Sequence, residues 1–96
     1  EQYGTAQSDP RTDIFGLGVT MYFLLTGDDP RNPNFNGMKP IRALNPSIPK
    51  GMEYIIEKCT RIDPNQRYQS AGELLKDLEN IRKLPPKHGI LKNLFR

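Results

Sequence analysis

Residues 13–27 read DIFGLGVTMYFLLTG, and this stretch decides the fold. From Ile14 to Leu25, every residue except Thr20 is apolar, aromatic or glycine. A surface helix shows one apolar stripe, whereas a helix that is apolar on every side must be enclosed by protein or lipid. A membrane span needs about 20 apolar residues, and this run stops at Thr26. We therefore expect the central helix of a soluble domain.

Composition indicates one globular domain. The chain has 96 residues, of which 35% are hydrophobic and 26% charged, and this excludes a disordered or fibrous protein. A domain of this size buries only about two-thirds of its unfolded surface, so most of its helices should keep one face in water. The single cysteine, Cys59, excludes an internal disulfide framework. The net charge of +3 lies in the tail, because residues 82–96 carry five basic residues and no acid, while residues 1–81 sum to −2.

The ends of the first helix follow from local signals. Residues 1–12 are polar, with Gly4 and Asp9-Pro10 as turn signals, and predict a loop. Thr12 or Asp13 can cap the helix, since either side chain can accept a hydrogen bond from a free N–H of the first turn. The helix should run to about Thr26, because Gly27 is a natural left-handed terminator.

The rest of the chain predicts two further main helices. Five prolines between residues 28 and 50 leave room for one short helix around Ile41 to Leu44. After them, an amphipathic helix is predicted by the apolar stripe Met52, Ile55, Ile56 and Cys59, with Ile62 as its extension. Ser70 and Glu73 have capping-box spacing and precede a last apolar face of Leu74, Leu75, Leu78 and Ile81. The predicted class is all-α, and two amphipathic neighbours can cover only about half of the first helix.

Two segments resemble the C-terminal lobe of protein kinases. Asp13 to Gly18, DIFGLG, is similar to the pattern Asp-x-Trp-Ser-x-Gly that opens helix F, the buried central helix of that lobe. Cys59 to Tyr68, CTRIDPNQRY, is similar to the segment Cys-x-x-x-Asp-Pro-x-x-Arg-Tyr/Phe/Pro between helices H and I. Glu1 lies 12 residues before Asp13, at the glutamate of the family's Ala-Pro-Glu motif, so we expect the chain to begin inside that motif.

The resemblance implies a partial kinase C-lobe with helices F, H and I and a short or broken helix G. It covers residues 1–82, and residues 83–96 are expected to form a basic tail or linker. The stretch LLTG followed by Pro30 is similar to serine/threonine kinases, and RYQS resembles bacterial members. In a complete kinase, helix F is surrounded by the catalytic-loop segment and helix E as well as by helices H and I. The first two would lie upstream of Glu1.

Three residues gain roles from the resemblance. Asp13 matches the aspartate that braces the catalytic loop by accepting its backbone hydrogen bonds. Its simpler role is a favourable charge at a helix N-terminus, worth about 0.3–1 kcal/mol. Glu1 and Arg67 match a buried ion pair between the end of the activation segment and the loop before helix I, and the alternative is two unrelated surface charges. No catalytic residue and no metal site are expected, and the calcium-like loop at 32–37 supplies no carboxylate.

The implied parent transfers the γ-phosphoryl group of MgATP to serine or threonine of a protein. Its glycine-rich loop, lysine, catalytic aspartate and metal ligands would precede this segment, which would be a scaffold without a cofactor of its own. The alternatives are a pseudokinase and a helical protein-interaction module. Expected partners are the upstream kinase domain, the parent's protein substrate and a second copy of the fragment, but not nucleic acid. The expected location is the cytoplasm, with the membrane reached only through an anchor after the tail.

Overall fold

The computed structural model describes residues 9–83. In this range the chain forms helices α1 (Pro10–Thr26), α2 (Ile41–Leu44), α3 (Lys50–Cys59) and α4 (Ala71–Glu79), with 3-10 turns at Pro64–Gln66 and Ile81–Lys83. The described residues contain no strand, which confirms the all-α class and the three main helices. Residues 28–40 contain no helix, so the four residues of α2 alone stand for helix G.

The N-terminus of α1 differs from the prediction. The Asp9 carboxylate caps the helix by accepting a hydrogen bond from the N–H of Arg11 at 2.9 Å. Pro10 takes the first helical position, where its missing N–H would have had no partner. The predicted cap at Thr12 or Asp13 is therefore wrong. Asp9-Pro10 is an N-cap followed by a helix-starting proline, not a turn ahead of the helix.

The other predicted start and stop signals are confirmed. Gly27 ends α1 with φ of 77°, and its N–H donates to the carbonyl of Phe23 at 2.8 Å. Glycine adopts this left-handed conformation without the steric cost that a Cβ would bring. Ser70 caps α4 by accepting from the N–H of Glu73 at 3.2 Å. The Glu73 carboxylate accepts in return from the N–H of Gln69, one residue earlier than the capping box predicts.

The amphipathic faces of α3 and α4 are confirmed in part. The buried apolar residues of α3 are Ile55, Ile56 and Cys59. The predicted extension to Ile62 is wrong, because the chain leaves the helix at Thr60 and the Ile62 side chain is 89% exposed. On α4, Leu74 is buried, but Leu75 is 55% exposed and lies outside the packed face.

The core forms two clusters on one side of α1. Ile14 of α1 belongs to the first cluster, which continues through Ile55, Cys59, Tyr68 and Leu74. Tyr22 of α1 belongs to the second, which continues through Ile41, Ile48 and Ile56. α1 thus contributes one buried large side chain to each cluster, two turns apart, and α3 contributes to both. The two helices are the frame on which the other elements pack.

Gly18 allows α1 and α3 to cross closely between the two clusters. A Cβ at this position would lie 2.6 Å from the Cβ of Cys59 and 2.7 Å from Cγ2 of Thr60. Real carbon atoms do not approach this closely, so any larger residue would push α3 away. The glycine in the motif therefore sets the distance between the two main helices.

The opposite side of α1 is uncovered within the described residues. Ile14, Gly18 and Tyr22 are the buried residues of this helix, at a spacing of four. Leu17 is 46% exposed and Leu24 is 72% exposed, although both belong to the apolar run. One helix that is apolar all round is thus packed along a single stripe. None of the helices in residues 9–83 combines the length and the apolar character needed to cross a membrane.

Gly18→Ala should lower the free energy of unfolding by about 1–3 kcal/mol, the usual cost of overpacking. Gly16→Ala is the matched control, because a Cβ there meets nothing within 4 Å. It should raise stability by about 0.5–1 kcal/mol, since alanine is the better helix former. Urea denaturation followed by circular dichroism measures both changes. Equal stabilities for the two variants would contradict the close crossing.

Candidate functional site

Arg67 joins two distant parts of the chain. It follows the turn at Pro64–Gln66, and its half-buried guanidinium donates to three backbone carbonyls. The donor–acceptor distances are 2.7 Å from Nε to Arg61, 3.1 Å from Nη1 to Arg11 and 3.2 Å from Nη2 to Ile62. Arg11 is in the first turn of α1, whereas the other two acceptors lie just after α3. Arg67 therefore holds the start of α1 against the loop that leaves α3.

An aromatic ring completes the surroundings of Arg67. Its Cζ lies 4.6 Å from the centroid of the Phe15 ring, which is within the range of a cation–π contact. A planar guanidinium can stack on a ring and still donate from its edge, but a lysine ammonium cannot. Phe15 stands where the kinase pattern has tryptophan, and the aromatic character of the position is retained.

A second arginine supports the same junction. The side chain of Arg11 donates to Asn65 Oδ1 at 2.7 Å and to Asp9 Oδ2 at 2.9 Å. Hydrogen bonds from the side chain and the backbone of Arg11 hold the pKa of the Asp9 carboxyl below its usual range. The helix cap stays ionised at neutral pH, where its charge also favours the positive end of α1.

The predicted partner of Arg67 lies outside the described residues. A guanidinium has five N–H donors, and the described residues accept from three of them. One N–H on Nη1 and one on Nη2 have no acceptor among the described residues, and a guanidinium can hold a carboxylate through such N–H groups. The pairing of Glu1 with Arg67 stays a prediction.

Asp13 lies at the head of the uncovered side of α1. It is exposed in the first turn, and no described residue donates a hydrogen bond to its side chain. Asp13, Leu17 and Leu24 are four and seven residues apart, so they share one helix face. This surface, which we call the outer face, also includes Gly16 and Thr20, both exposed. A carboxylate followed by leucines presents one polar anchor and an apolar strip to whatever covers α1.

A groove of about 480 Å³ opens between α1, α2 and α3. Its apolar lining includes Phe15, Met38, Ile41 and Ile56. One polar wall carries the ion pair of Glu57 and Arg61, 3.0 Å apart. Buried Glu53 also lines the groove, and its carboxylate accepts from the N–H of Arg42 at 3.0 Å, at the start of α2.

The described residues gather no group of metal-binding side chains, and their one thiol is buried. Nowhere between residues 9 and 83 do three histidine, cysteine or acidic side chains gather closely enough to hold an ion. Cys59 is fully buried, and desolvation raises the pKa of its thiol to about 12. The thiol is therefore protonated and unreactive at neutral pH.

Several contacts of this region were missed by sequence reasoning. Arg11, Asn65 and the stacking of Phe15 on Arg67 were not predicted. The Asp9-Pro10 dipeptide could have revealed the cap, because the same dipeptide recurs at Asp63-Pro64, where it caps the 3-10 turn. No local signal reveals contacts between residues more than 50 positions apart.

Arg67→Ala should lower the free energy of unfolding by about 2–3 kcal/mol, because three carbonyls lose a charged donor. Arg67→Lys should recover less than half of this loss, since an ammonium cannot serve three separated carbonyls and a ring. Arg31→Ala is the control: this arginine binds the carboxylate of Asp29, but its side chain is 80% exposed. The control should change stability by less than about 1 kcal/mol. Wild-type stability of Arg67→Lys in urea denaturation would contradict the geometric argument.

Comparisons with known proteins agree with the motifs. A serine/threonine-protein kinase of Clostridium perfringens, named as probable, is 34% identical over 88% of this chain. PrkC of Bacillus subtilis, also a serine/threonine-protein kinase, is 32% identical over 82%, and serine/threonine-protein kinase A of Synechocystis is 32% identical over 90%. No protein-family profile and no solved structure matches the chain.

The chain corresponds to a small part of each relative. It spans 14% of the Clostridium and Bacillus proteins and 19% of the Synechocystis protein. The all-helical fold, the two motifs and the relatives agree on one lobe of one family. The chain belongs to the protein kinases and is a segment of their C-terminal lobe.

Proposed function

We propose that this chain is the structural scaffold of a longer protein kinase, which transfers the γ-phosphoryl group of ATP to serine or threonine of a protein. The observation that carries the proposal is the outer face of α1, with Asp13 at its head and Leu17 and Leu24 exposed below it. Burying one leucine side chain is worth about 1.5–3 kcal/mol, so such a face is stabilised when protein covers it. The covering partner is the upstream part of the kinase domain.

Asp13 would brace the catalytic loop of that upstream part. Its carboxylate can accept backbone N–H groups from a loop seated on the outer face, and charge-assisted bonds of this kind are short and strong. The rigidity of α1 supports this role. The helix is fixed by the Asp9 cap, by Arg67 at its first turn and by the close crossing at Gly18.

Arg67 would fix the end of the activation segment. Its two remaining N–H groups can donate to the carboxylate of Glu1, and its three carbonyl bonds hold the guanidinium in place before that carboxylate arrives. The pair would then connect the activation segment to the start of α1 and to the loop after α3.

MgATP would supply the transferred phosphoryl group, but the described residues do not fit it. They gather no three metal-binding side chains, and no step of the reaction is assigned to them. The residues that hold MgATP in the family precede this segment. The contribution of this chain is to position the catalytic loop and the activation segment. The kinase would act on a cytoplasmic protein substrate, and any membrane attachment would come from an anchor beyond the basic tail.

Asp13→Asn in the longer kinase should lower phosphoryl transfer by about 100-fold, because a small displacement of catalytic groups has this effect on rate. In the 96-residue chain alone, the same substitution should leave the melting temperature close to wild type, since Asp13 is exposed there and no described residue donates to it. Glu79→Gln removes an exposed carboxylate from the end of α4 and serves as the control. Transfer from radiolabelled ATP to a generic protein, followed by phosphoamino-acid analysis, measures the rate and the acceptor.

Three outcomes would count against the proposal. The first is equal activity of Asp13→Asn and Glu79→Gln. The second is phosphotyrosine as the main product. The third is an encoding reading frame that lacks the catalytic and metal-binding aspartates, which would make the parent a pseudokinase.

Without the upstream lobe, the 96-residue chain should dimerise through the outer face. Sedimentation velocity at micromolar concentration should show a dimer, and the double substitution Leu17→Lys and Leu24→Lys should convert it to a monomer. Leu75→Lys on α4 is the control, because Leu75 is exposed to a similar degree, 55%, but lies elsewhere. A wild-type monomer with a sharp unfolding transition would contradict this prediction.

A further inference from the structure

Residues 28–39 cross the end of α1 as an irregular segment that we call the strap. Its first residue, Asp28, accepts a hydrogen bond from the Tyr22 hydroxyl at 2.6 Å. Its last residue, Lys39, donates its backbone N–H to the same hydroxyl oxygen at 3.1 Å. One side chain of α1 thus binds both ends of a loop of twelve residues.

The surroundings of Tyr22 make this hydroxyl hard to replace. The residue is fully buried, so no other side chain is free to replace its hydroxyl without repacking the second cluster. Desolvation, followed by the bond to the Asp28 carboxylate, raises the pKa of Tyr22, which keeps the hydroxyl protonated as a donor. The Nζ of Lys39 lies 3.9 Å from Asp28 Oδ2. Such a partly exposed pair is weak by itself.

The middle of the strap is held mainly by local contacts. The carboxylate of Asp29 binds the Arg31 side chain, and the N–H of Phe35 donates to the Asn32 carbonyl at 2.9 Å. The Phe35 ring meets the Tyr22 ring edge-on, with centroids 6.5 Å apart. The ring and the hydroxyl of one tyrosine therefore serve as the anchor for the middle and both ends of the strap.

The strap also shapes the groove. Met38 and Lys39 line it, followed directly by Pro40 and Ile41 at the start of α2. The bond from the Lys39 N–H to Tyr22 lies between these lining residues, so the position of this wall depends on the hydroxyl. We propose that Tyr22 is a latch that closes the strap at both ends and thereby holds the Met38–Ile41 wall of the groove.

Tyr22→Phe tests the latch because it keeps the ring and removes both hydrogen bonds. Hydrogen exchange measured by mass spectrometry on the intact protein should show amides of residues 28–41 exchanging about tenfold faster, as expected for the loss of two bonds of ordinary strength. Exchange in α3 should stay at the wild-type rate. Tyr68→Phe is the matched control: Tyr68 is also buried, and its hydroxyl donates to Asp77 at 2.7 Å. It should leave the strap unchanged.

Asp28→Ala provides a second variant at a partly exposed site, and it opens one end of the strap only. It should give a smaller increase in the exchange rate, confined to residues 28–41. Asp28→Asn keeps an acceptor oxygen, so the strap of this variant should exchange like wild type. If Tyr22→Phe does not fold, the two Asp28 variants test whether the Tyr22 hydroxyl holds the strap. Strap exchange within about twofold of wild type in Tyr22→Phe or Asp28→Ala would overturn the latch. An increase in the exchange rate that is spread evenly over α3 and α4 would overturn the latch as well.

Discussion

A helix with apolar side chains on every side needs protein on every side, and this constraint organises the whole structure. The chain itself meets the requirement along one stripe, where Ile14 and Tyr22 each enter a core cluster and Gly18 lets α3 approach. It leaves the outer face, including Leu17 and Leu24, without cover from the described residues. The same helix is thus the core of this segment, and we propose its uncovered side as the contact surface for the rest of a kinase domain.

The polar contacts keep that helix in place. Asp9 and Gly27 define its two ends, Arg67 ties its first turn to the loop after α3, and Tyr22 holds the strap across its last turns. Each of these contacts joins α1 to a segment without regular structure. Loops broken by proline therefore gain fixed positions from a few hydrogen bonds to a rigid helix, without needing helices of their own.

The sequence was sufficient to predict helices and their ends wherever the signal is local. The periodic apolar positions of α3, the capping serine of α4 and the glycine after α1 predicted helices that the structure contains. Prediction failed where a dipeptide had two meanings, as at Asp9-Pro10, and where a stripe was continued past a helix end, as at Ile62. At the candidate site, motif resemblance pointed to Arg67 and Asp13, and the roles it gives them stay predictions. It did not reveal the carbonyl acceptors, the Phe15 stack or the Tyr22 latch, because these depend on how distant segments meet.

The most direct test of the account is the accessibility of one outer-face position with and without the upstream polypeptide. Leu24→Cys introduces a thiol at a site that is 72% exposed. Cys59 stays silent, because its buried thiol has a pKa of about 12. At submicromolar concentration, the account predicts rapid labelling of the 96-residue chain. In the longer kinase, labelling should be at least about 100-fold slower, as for a group exposed only by local opening. Equally fast labelling of both proteins would contradict the claim that this face was made to be covered.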